Sequence, residues 1–374
     1  MSIDPDRLAR AAITRRFRPG TAAVLRALAT APPAEVLSGL TTNDEWAALT
    51  TRAEDDLTQL ASIGARLVCP GDDEWPVAVD VLGHIPTREG QPREPFALWV
   101  RGGGDLAKLC ERAVSIVGSR ASTEYGTYVA SELAHGLACE GWCVVSGAAF
   151  GIDAAAHRGA LLADGATVAV LANGIDIAYP GAHEGLLRRI TDKGCVISEE
   201  APGVPVRRER FLQRNRLIAA LGKATVVVEA GLRSGALSTA RHAERMLRDV
   251  LVVPGHVTSA MSAGSNELLR QDYARLVRNA QDVLAEVGPL APMQMSFLPS
   301  TGRDLLELPE RLVLDAFPAR AGIDPSGLAQ AAGMTVSAVT RSLRLLLEQG
   351  FVAVAEGGFA LTTAARLPSG GAAT

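Results

Sequence analysis

The chain has 374 residues, of which 48% are hydrophobic and only 4% aromatic, and it carries a formal net charge of −4. That length accommodates two or three domains with a sizeable core, and the acidic balance excludes wholesale coating of nucleic acid while leaving room for a local basic stripe. No run of about 18 apolar residues occurs, and the opening MSIDPDRLARAAITRRF lacks the apolar stretch and cleavage site of a secretory signal, so a cytoplasmic protein with no membrane partner is expected.

Residues 1–65 read as a small helical module, in which LARAAITRRF and TAAVLRALAT are separated by Arg18-Pro19-Gly20 and Ala-Pro-Pro precedes AEVLSGL. Residues 66–110 change character: ARLVCPGDDEWP and FALWVRGGG are joined by GHIPTREGQPREP, which suggests short strands around a loop. From Ala113 onward, short β-branched runs alternate with segments of helical period. Strands are expected at AVSIVG (113–118), CVVSG (143–147), TVAVLANG (167–174), CVISEE (195–200), TVVVEA (225–230) and VLVVPG (250–255). Between them lie helical stretches such as TYVASELAHGLACEG, DAAAHRGALLADG and STARHAERMLRD. Unbroken apolar runs belong to strands covered on both faces, so residues 66–287 are expected to form an α/β domain with a Rossmann-like parallel sheet core.

Residues 288–308, with three prolines and no period, read as a linker. Residues 309–366 then hold PERLVLDAF, DPSGLAQAAG with Asp324 as N-cap and Pro325 at the first helical position, and TVSAVTRSLRLLLEQG ending at Gly350. A hairpin about Gly357-Gly358 follows, which completes a winged helix-turn-helix. On its third helix Val336, Val339, Leu343, Leu346 and Leu347 are expected to face inward, with Ser337, Thr340, Arg341 and Arg344 outside.

Ligands of open α/β sheets bind beyond the carboxyl ends of the strands, where backbone N–H groups and helix N-termini attract anions. Here those loops carry Gly118-Ser119-Arg120, Ser146-Gly147-Ala148-Ala149-Phe150-Gly151, Arg233-Ser234-Gly235, Pro254-Gly255-His256 and Ser262-Ala263-Gly264-Ser265-Asn266. Several phosphate-sized cradles on one edge suggest a polyanion. No GxGxxG follows the first strand and no GxxxxGK[ST] occurs, so dinucleotide binding and P-loop ATP hydrolysis lack support and no cofactor is expected.

RRERFLQRNR (207–216) places five arginines and one glutamate in ten positions. It reads either as a solvated helix face or as a binding surface. If it is helical, Leu217, Ile218 and Leu221 point inward while Arg207, Arg210, Phe211 and Arg214 cluster within one turn. A ring flanked by guanidinium groups can stack a base and neutralise the phosphates beside it, although Phe211 as a core residue stays open. Phe150, between small residues in a tight turn, is expected to pack. His157, His183, His242 and His256 have no metal-ligand arrangement and are expected to face solvent or cap helices. Asp153, Asp176 and Glu229 lie at strand ends, where carboxylates either serve as acid or base or hold loops by accepting N–H bonds. The five cysteines read as buried free thiols, and no metal site is expected.

In order along the chain, GSR (118–120), SGAAFGIDAAAH (146–157), NGIDIAYP (173–180), SEEAPG (198–203), RERFLQRNRLIAAL (208–221), VVVEAGLRSGALSTA (226–240) and VPGHVTSAMSAGSN (253–266) closely resemble the DNA processing protein A family, DprA or Smf. The resemblance covers roughly residues 66–286. It implies an N-terminal sterile-alpha-motif-like module and a C-terminal winged helix around a protein that binds single-stranded DNA, protects the incoming strand and brings RecA recombinase to it during natural transformation. It also implies homodimerisation through the Rossmann-like domain and no catalytic cycle. Arg120, Arg208 and Phe211 match positions that grip DNA in the family, and Gly118, Ser119, Gly147, Arg214, Ser234, Gly235, Gly264 and Asn266 complete the candidate set. His183, Leu212 and Gly222 depart from the residues the family usually has there, which touches local geometry only.

Two rivals differ in class. A nucleotide phosphoribohydrolase of the Lonely Guy type carries PGGxGTxxE, whereas EAGLRSGALSTARHA here lacks the Pro-Gly-Gly and the glutamate at the matching spacing. A duplex-reading transcription regulator would need a basic winged helix, yet residues 309–365 hold four Arg and Lys against five Asp and Glu. Met246, Leu247 and Met261 are candidate exposed apolar positions for a dimer contact.

Overall fold

The computed structural model describes residues 3–85, 94–288, 306–318, 322–355 and 357–362. Four helices come first: α1 (Pro5–Arg16), α2 (Ala22–Leu28), α3 (Pro33–Leu40) and α4 (Asn43–Ala61). Asp4 and Thr42 cap α1 and α4 by accepting the N–H groups of Arg7 and Glu45. Next come β1 (Ala65–Val68), α5 (Val81–His84), β2 (Leu98–Arg101) and α6 (Leu106–Glu111). The alternating region then runs β3 (Ala113–Val117), α7 (Glu124–Cys139), β4 (Cys143–Ser146), α8 (Ile152–Leu162), β5 (Thr167–Val170), α9 (Glu184–Lys193), β6 (Cys195–Ser198), α10 (Arg208–Leu221), β7 (Ala224–Val227), α11 (Ala236–Arg245), β8 (Asp249–Val252), α12 (Ala263–Leu268), β9 (Ala274–Leu276) and α13 (Ala280–Val287).

These strands form one nine-stranded sheet in the order β1-β2-β6-β5-β4-β3-β7-β8-β9. From β6 to β9 all neighbours are parallel, while β2 joins β6, and β1 joins β2, antiparallel. The six expected strands are all present, each leaving the ladder earlier than its apolar run because the residues beyond it build the loops. Chain order reverses between β3 and β7, which opens a crevice at their carboxyl ends.

The helices α1 to α4 do not pack on their own. Ala9, Ala12 and Ile13 share a core with Trp99, Leu171 and Ile190 of the α/β region. Fully buried Trp99 donates its Nε1–H to Thr14 Oγ1 at 3.3 Å, and Arg15, paired with buried Asp56, also donates to Pro202 O at 3.1 Å. Residues 1–291 accordingly form one compact unit, and the change of element type at residue 65 is not a break in packing.

The second unit spans 292–374. It contains α14 (Leu308–Asp315), α15 (Pro325–Ala332), α16 (Val336–Glu348) and a hairpin of β10 (Val352–Ala355) and β11 (Gly358–Leu361). Asp324 caps α15 by accepting from Gly327 N at 2.9 Å. On α16 the buried stripe is Val339, Ser342, Leu343 and Leu346, with Ser342 Oγ donating to Glu310 at 3.1 Å. Val336 and Leu347, expected inward, are corrected to exposed, because Val336 opens the helix and Leu347 lies about a quarter of a turn from the middle of that stripe. Most of the expected linker, at 289–305, lies outside the described residues. No helix among the described residues is long and apolar enough to cross a membrane.

Candidate nucleic-acid interface

The crevice starts from loops that are tied to one another. Ser119 N donates to Glu229 O at 2.6 Å, and Ile152 N donates to Ser119 O at 3.1 Å, which joins the loops after β3, β4 and β7. Gly118 is required there, since a Cβ would stand 2.5 Å from Ile152 Cγ1. Buried Glu229 accepts from Thr123 N at 2.9 Å and Thr123 Oγ1 at 2.6 Å, which fixes the start of α7. Asp176 accepts from Gly203 N at 2.9 Å and Asp153 from Ala149 N at 3.4 Å. Burial holds the Asp153 carboxyl above its ordinary range. These acids hold loops, as their positions at strand ends suggested.

The arginine-rich stretch divides into two sets. Arg216, 1% exposed, makes two bonds to Glu199 at 2.7 and 2.6 Å, and Arg210 lies 3.1 Å from Glu200. Arg214 is buried and donates through Nη1 to Gly147 O at 2.9 Å and to Val170 O. Burial lowers its pKa to about 10, so it stays charged at neutral pH. The face of α10 against the strand ends is therefore built from guanidinium groups matched to carboxylates and carbonyls. This corrects the expectation that Arg214 shares an open cluster with Arg207 and Phe211. Arg207 and Arg208 remain exposed. The Arg120 guanidinium lies over the Phe211 ring, 4.6 Å from its centre, and the Tyr179 ring is tilted against the same phenyl at 5.6 Å.

A groove of 1110 Å³ runs along this edge. Arg120, Arg207, Arg208, Arg214, Arg233 and Arg241 line it against one carboxylate, Asp153. Among the described residues, Arg120, Arg207, Arg208, Arg233 and Arg241 enter no ion pair. Gly118, Ser119, Phe211, Ser234 and Gly235 also line the groove, and Gly235 at its rim has open space around its Cβ position. Gly147 lines a smaller adjoining cup, pressed against the Arg214 guanidinium.

Gly264 and Asn266 line neither cavity. Gly264 N donates to Ala230 O at 2.7 Å, and the Asn266 side chain both accepts from and donates to the Gly255 backbone at 3.1 Å. Their polar groups clamp the loop before α12, which corrects their placement in the binding set. Residues the sequence reading passed over are Tyr179, Arg233 and Arg241. The first and second sit in quoted loop blocks, while Arg241 is visible only once α11 is oriented.

Other expectations are corrected by packing. His157 and His183 are buried rather than solvent-facing: His157 meets Thr167 Oγ1 at 2.7 Å, with its pKa driven down by burial to about 3, and His183 donates to Ala148 O at 2.9 Å. Phe150 is not packed away. Its ring meets His183 edge-on at 4.7 Å and stays 49% exposed. Cys69, Cys110, Cys143 and Cys195 are buried, but Cys139 is exposed. Met246 is core, whereas Leu247, at φ 55, is almost wholly exposed. Among the described residues no group of His, Cys, Asp and Glu could hold a metal ion.

A family model described as DNA recombination-mediator protein A matches residues 66–288. A DNA processing protein DprA of Mycobacterium tuberculosis is 44% identical over 309 residues, 82% of this chain and 79% of that protein. The X-ray structure of DprA from Streptococcus pneumoniae superimposes with a TM-score of 0.61 at 28% identity, over 77% of this chain and 99% of that one. A structure of the Helicobacter pylori protein, described for its single-stranded DNA binding mode, has a TM-score of 0.50 at 29% identity, over 58% of this chain and 94% of that one.

Proposed function

Since the chain belongs to the DNA recombination-mediator protein A family, we propose that it binds single-stranded DNA along the carboxyl edge of its sheet and hands the strand to a RecA-type recombinase during natural transformation. The observation that carries this is the groove itself, in which exposed, unpaired guanidinium groups surround a phenyl ring that already holds a cation against its face. Arg120, Arg207 and Arg208 neutralise phosphates, and Ser119, Ser234 and the flanking glycines let the backbone approach. When a strand enters, Arg120 exchanges the Phe211 ring for a phosphate, and a base takes its place on the ring. Arg214 and Gly147 shape the floor. The acids near the groove are committed to loops, which favours binding without a catalytic cycle.

On the same premise, residues 1–65 are a sterile-alpha-motif-like module, 66–287 the extended Rossmann-like DNA-binding domain, 288–308 a linker and 309–366 a winged helix-turn-helix. The protein acts in the cytoplasm as a homodimer formed through the Rossmann-like domain. Titration of single-stranded against duplex DNA at several salt concentrations, with an ATP-hydrolysis control, tests the function. Single strands bind tighter. Phe211→Ala costs about 1–3 kcal/mol with little change in salt slope, and Arg120→Ala and Arg208→Ala each flatten the log–log slope by about 0.7. Equal affinity for duplex, or an unchanged slope when both arginines are replaced, refutes it.

A further inference from the structure

Phe150 has no structural reason to stand half in solvent. It occupies the tip of the loop between β4 and α8, beside Gly151, whose φ of 75 and approach to Ser119 O press the turn down onto the GSR loop. The phenyl ring is left standing at the surface, where its one aromatic neighbour among the described residues is the edge of buried His183. Across from it lie Tyr179, itself 36% exposed, and Phe211, and the three rings enclose the small cup that Arg120 and Gly147 also line. Arg120, Tyr179 and Phe211 line the cup and the arginine groove alike, so the two adjoin.

We propose that Phe150 and Tyr179 form a second nucleobase-stacking station, distinct from Phe211, where the strand leaving the arginine groove lays a base across the cup. Three observations carry this. The Phe211 ring already has Arg120 on its face and Tyr179 against it, whereas Phe150 stays half exposed beside the edge-on contact with His183. The cup holds only 30 Å³, room for little more than a water molecule, so a base lies over its rim against the flanking rings rather than inside it. And a cation that serves both cavities places a phosphate within reach of the same nucleotide. The ligand is the base of single-stranded DNA with no preference among bases, since every base has a π-face.

This inference rests on the single-strand reading of the groove, and the test separates the two. The full-length protein is titrated by fluorescence anisotropy with an oligothymidylate of roughly 20 nucleotides and with an abasic strand of the same length. Phe150→Leu, which keeps an apolar contact with His183 but removes the ring, weakens oligothymidylate binding about 5- to 150-fold and leaves the abasic strand and the salt slope unchanged. Phe150→Tyr restores wild-type affinity, and Tyr179→Leu repeats the loss. Unchanged oligothymidylate affinity in Phe150→Leu overturns the station while the groove stands, as does an equal loss on both strands, which marks a contact to the backbone or to the fold. A wild-type protein that binds neither strand overturns the groove and the station together.

Discussion

Glu199→Gln is expected to destabilise the protein far more than a surface substitution would. It removes the carboxylate from Arg216, a guanidinium that is 1% exposed and bonded to both Glu199 oxygens. Breaking one side of a buried ion pair costs about 3–5 kcal/mol, because the remaining charge stays desolvated. The unit concerned has 291 residues, and at about 2.1 cal/mol/K per residue its unfolding entropy converts that cost into a melting-point drop of roughly 5–8 °C. Differential scanning calorimetry of the full chain measures it. Combining Glu199→Leu with Arg216→Met removes both charges and is expected to recover most of the loss. Because Arg216 does not line the groove, the double variant keeps the wild-type salt dependence of single-strand binding. A drop under about 1 °C in the single variant, a double variant no more stable than the single, or a flattened salt slope would refute the assignment of Arg216 to the scaffold.

Glu200 adds a pH dependence. Burial, and then the neighbouring Glu199 carboxylate, push it up to about 7 despite the nearby Arg210. A raised folded-state pKa means that its stabilisation is complete below the ordinary carboxylate range and is lost as pH climbs through 7, so the melting-point advantage of Glu200→Gln over wild type should grow between about pH 5 and pH 8; a constant gap contradicts this. Gly126→Ala puts a Cβ 2.2 Å from the Glu229 carboxylate that Thr123 holds, and is expected to cost about 1–3 kcal/mol in denaturant unfolding. Gly235→Ala, with nothing near its Cβ, should stay within about 0.5 kcal/mol, and similar costs at the two sites would show that the packing argument fails. Ending the chain at residue 299 should leave most single-strand affinity intact, because residues 309–365 carry no excess of basic charge; near-total loss of binding rejects it.

The alternating β-branched and helical segments from Ala113, the cap at Asp324, and the Gly-rich loops at strand ends were legible because each depends on a few neighbouring residues. Unbroken apolar runs such as AVSIV and TVAV pointed to strands covered on both faces, and that was enough for the parallel sheet and for the edge on which the candidate site was sought. Arg120 and Phe211, 91 positions apart, were assigned to one site by the family resemblance, but that the Arg120 guanidinium lies over the Phe211 ring became visible only in the fold. Spacing along a helix shows which residues share a face, but not what stands opposite that face. Arg214 was grouped with Arg207 by spacing, yet its partners are Gly147 and Val170, on two other strand ends. Asn266 and Gly264 resembled open cradle residues until the loop at 230–231 and Gly255 took up their polar groups. His157 and His183 disappeared into the interior, and Phe150 came out of it, for the same reason. Burial is a property of the whole packed chain, set by contacts between residues far apart in sequence. The amino-acid sequence alone therefore determined the elements and the edge on which the candidate site was sought, and only the tertiary structure decided which arginines and rings on that edge are left exposed.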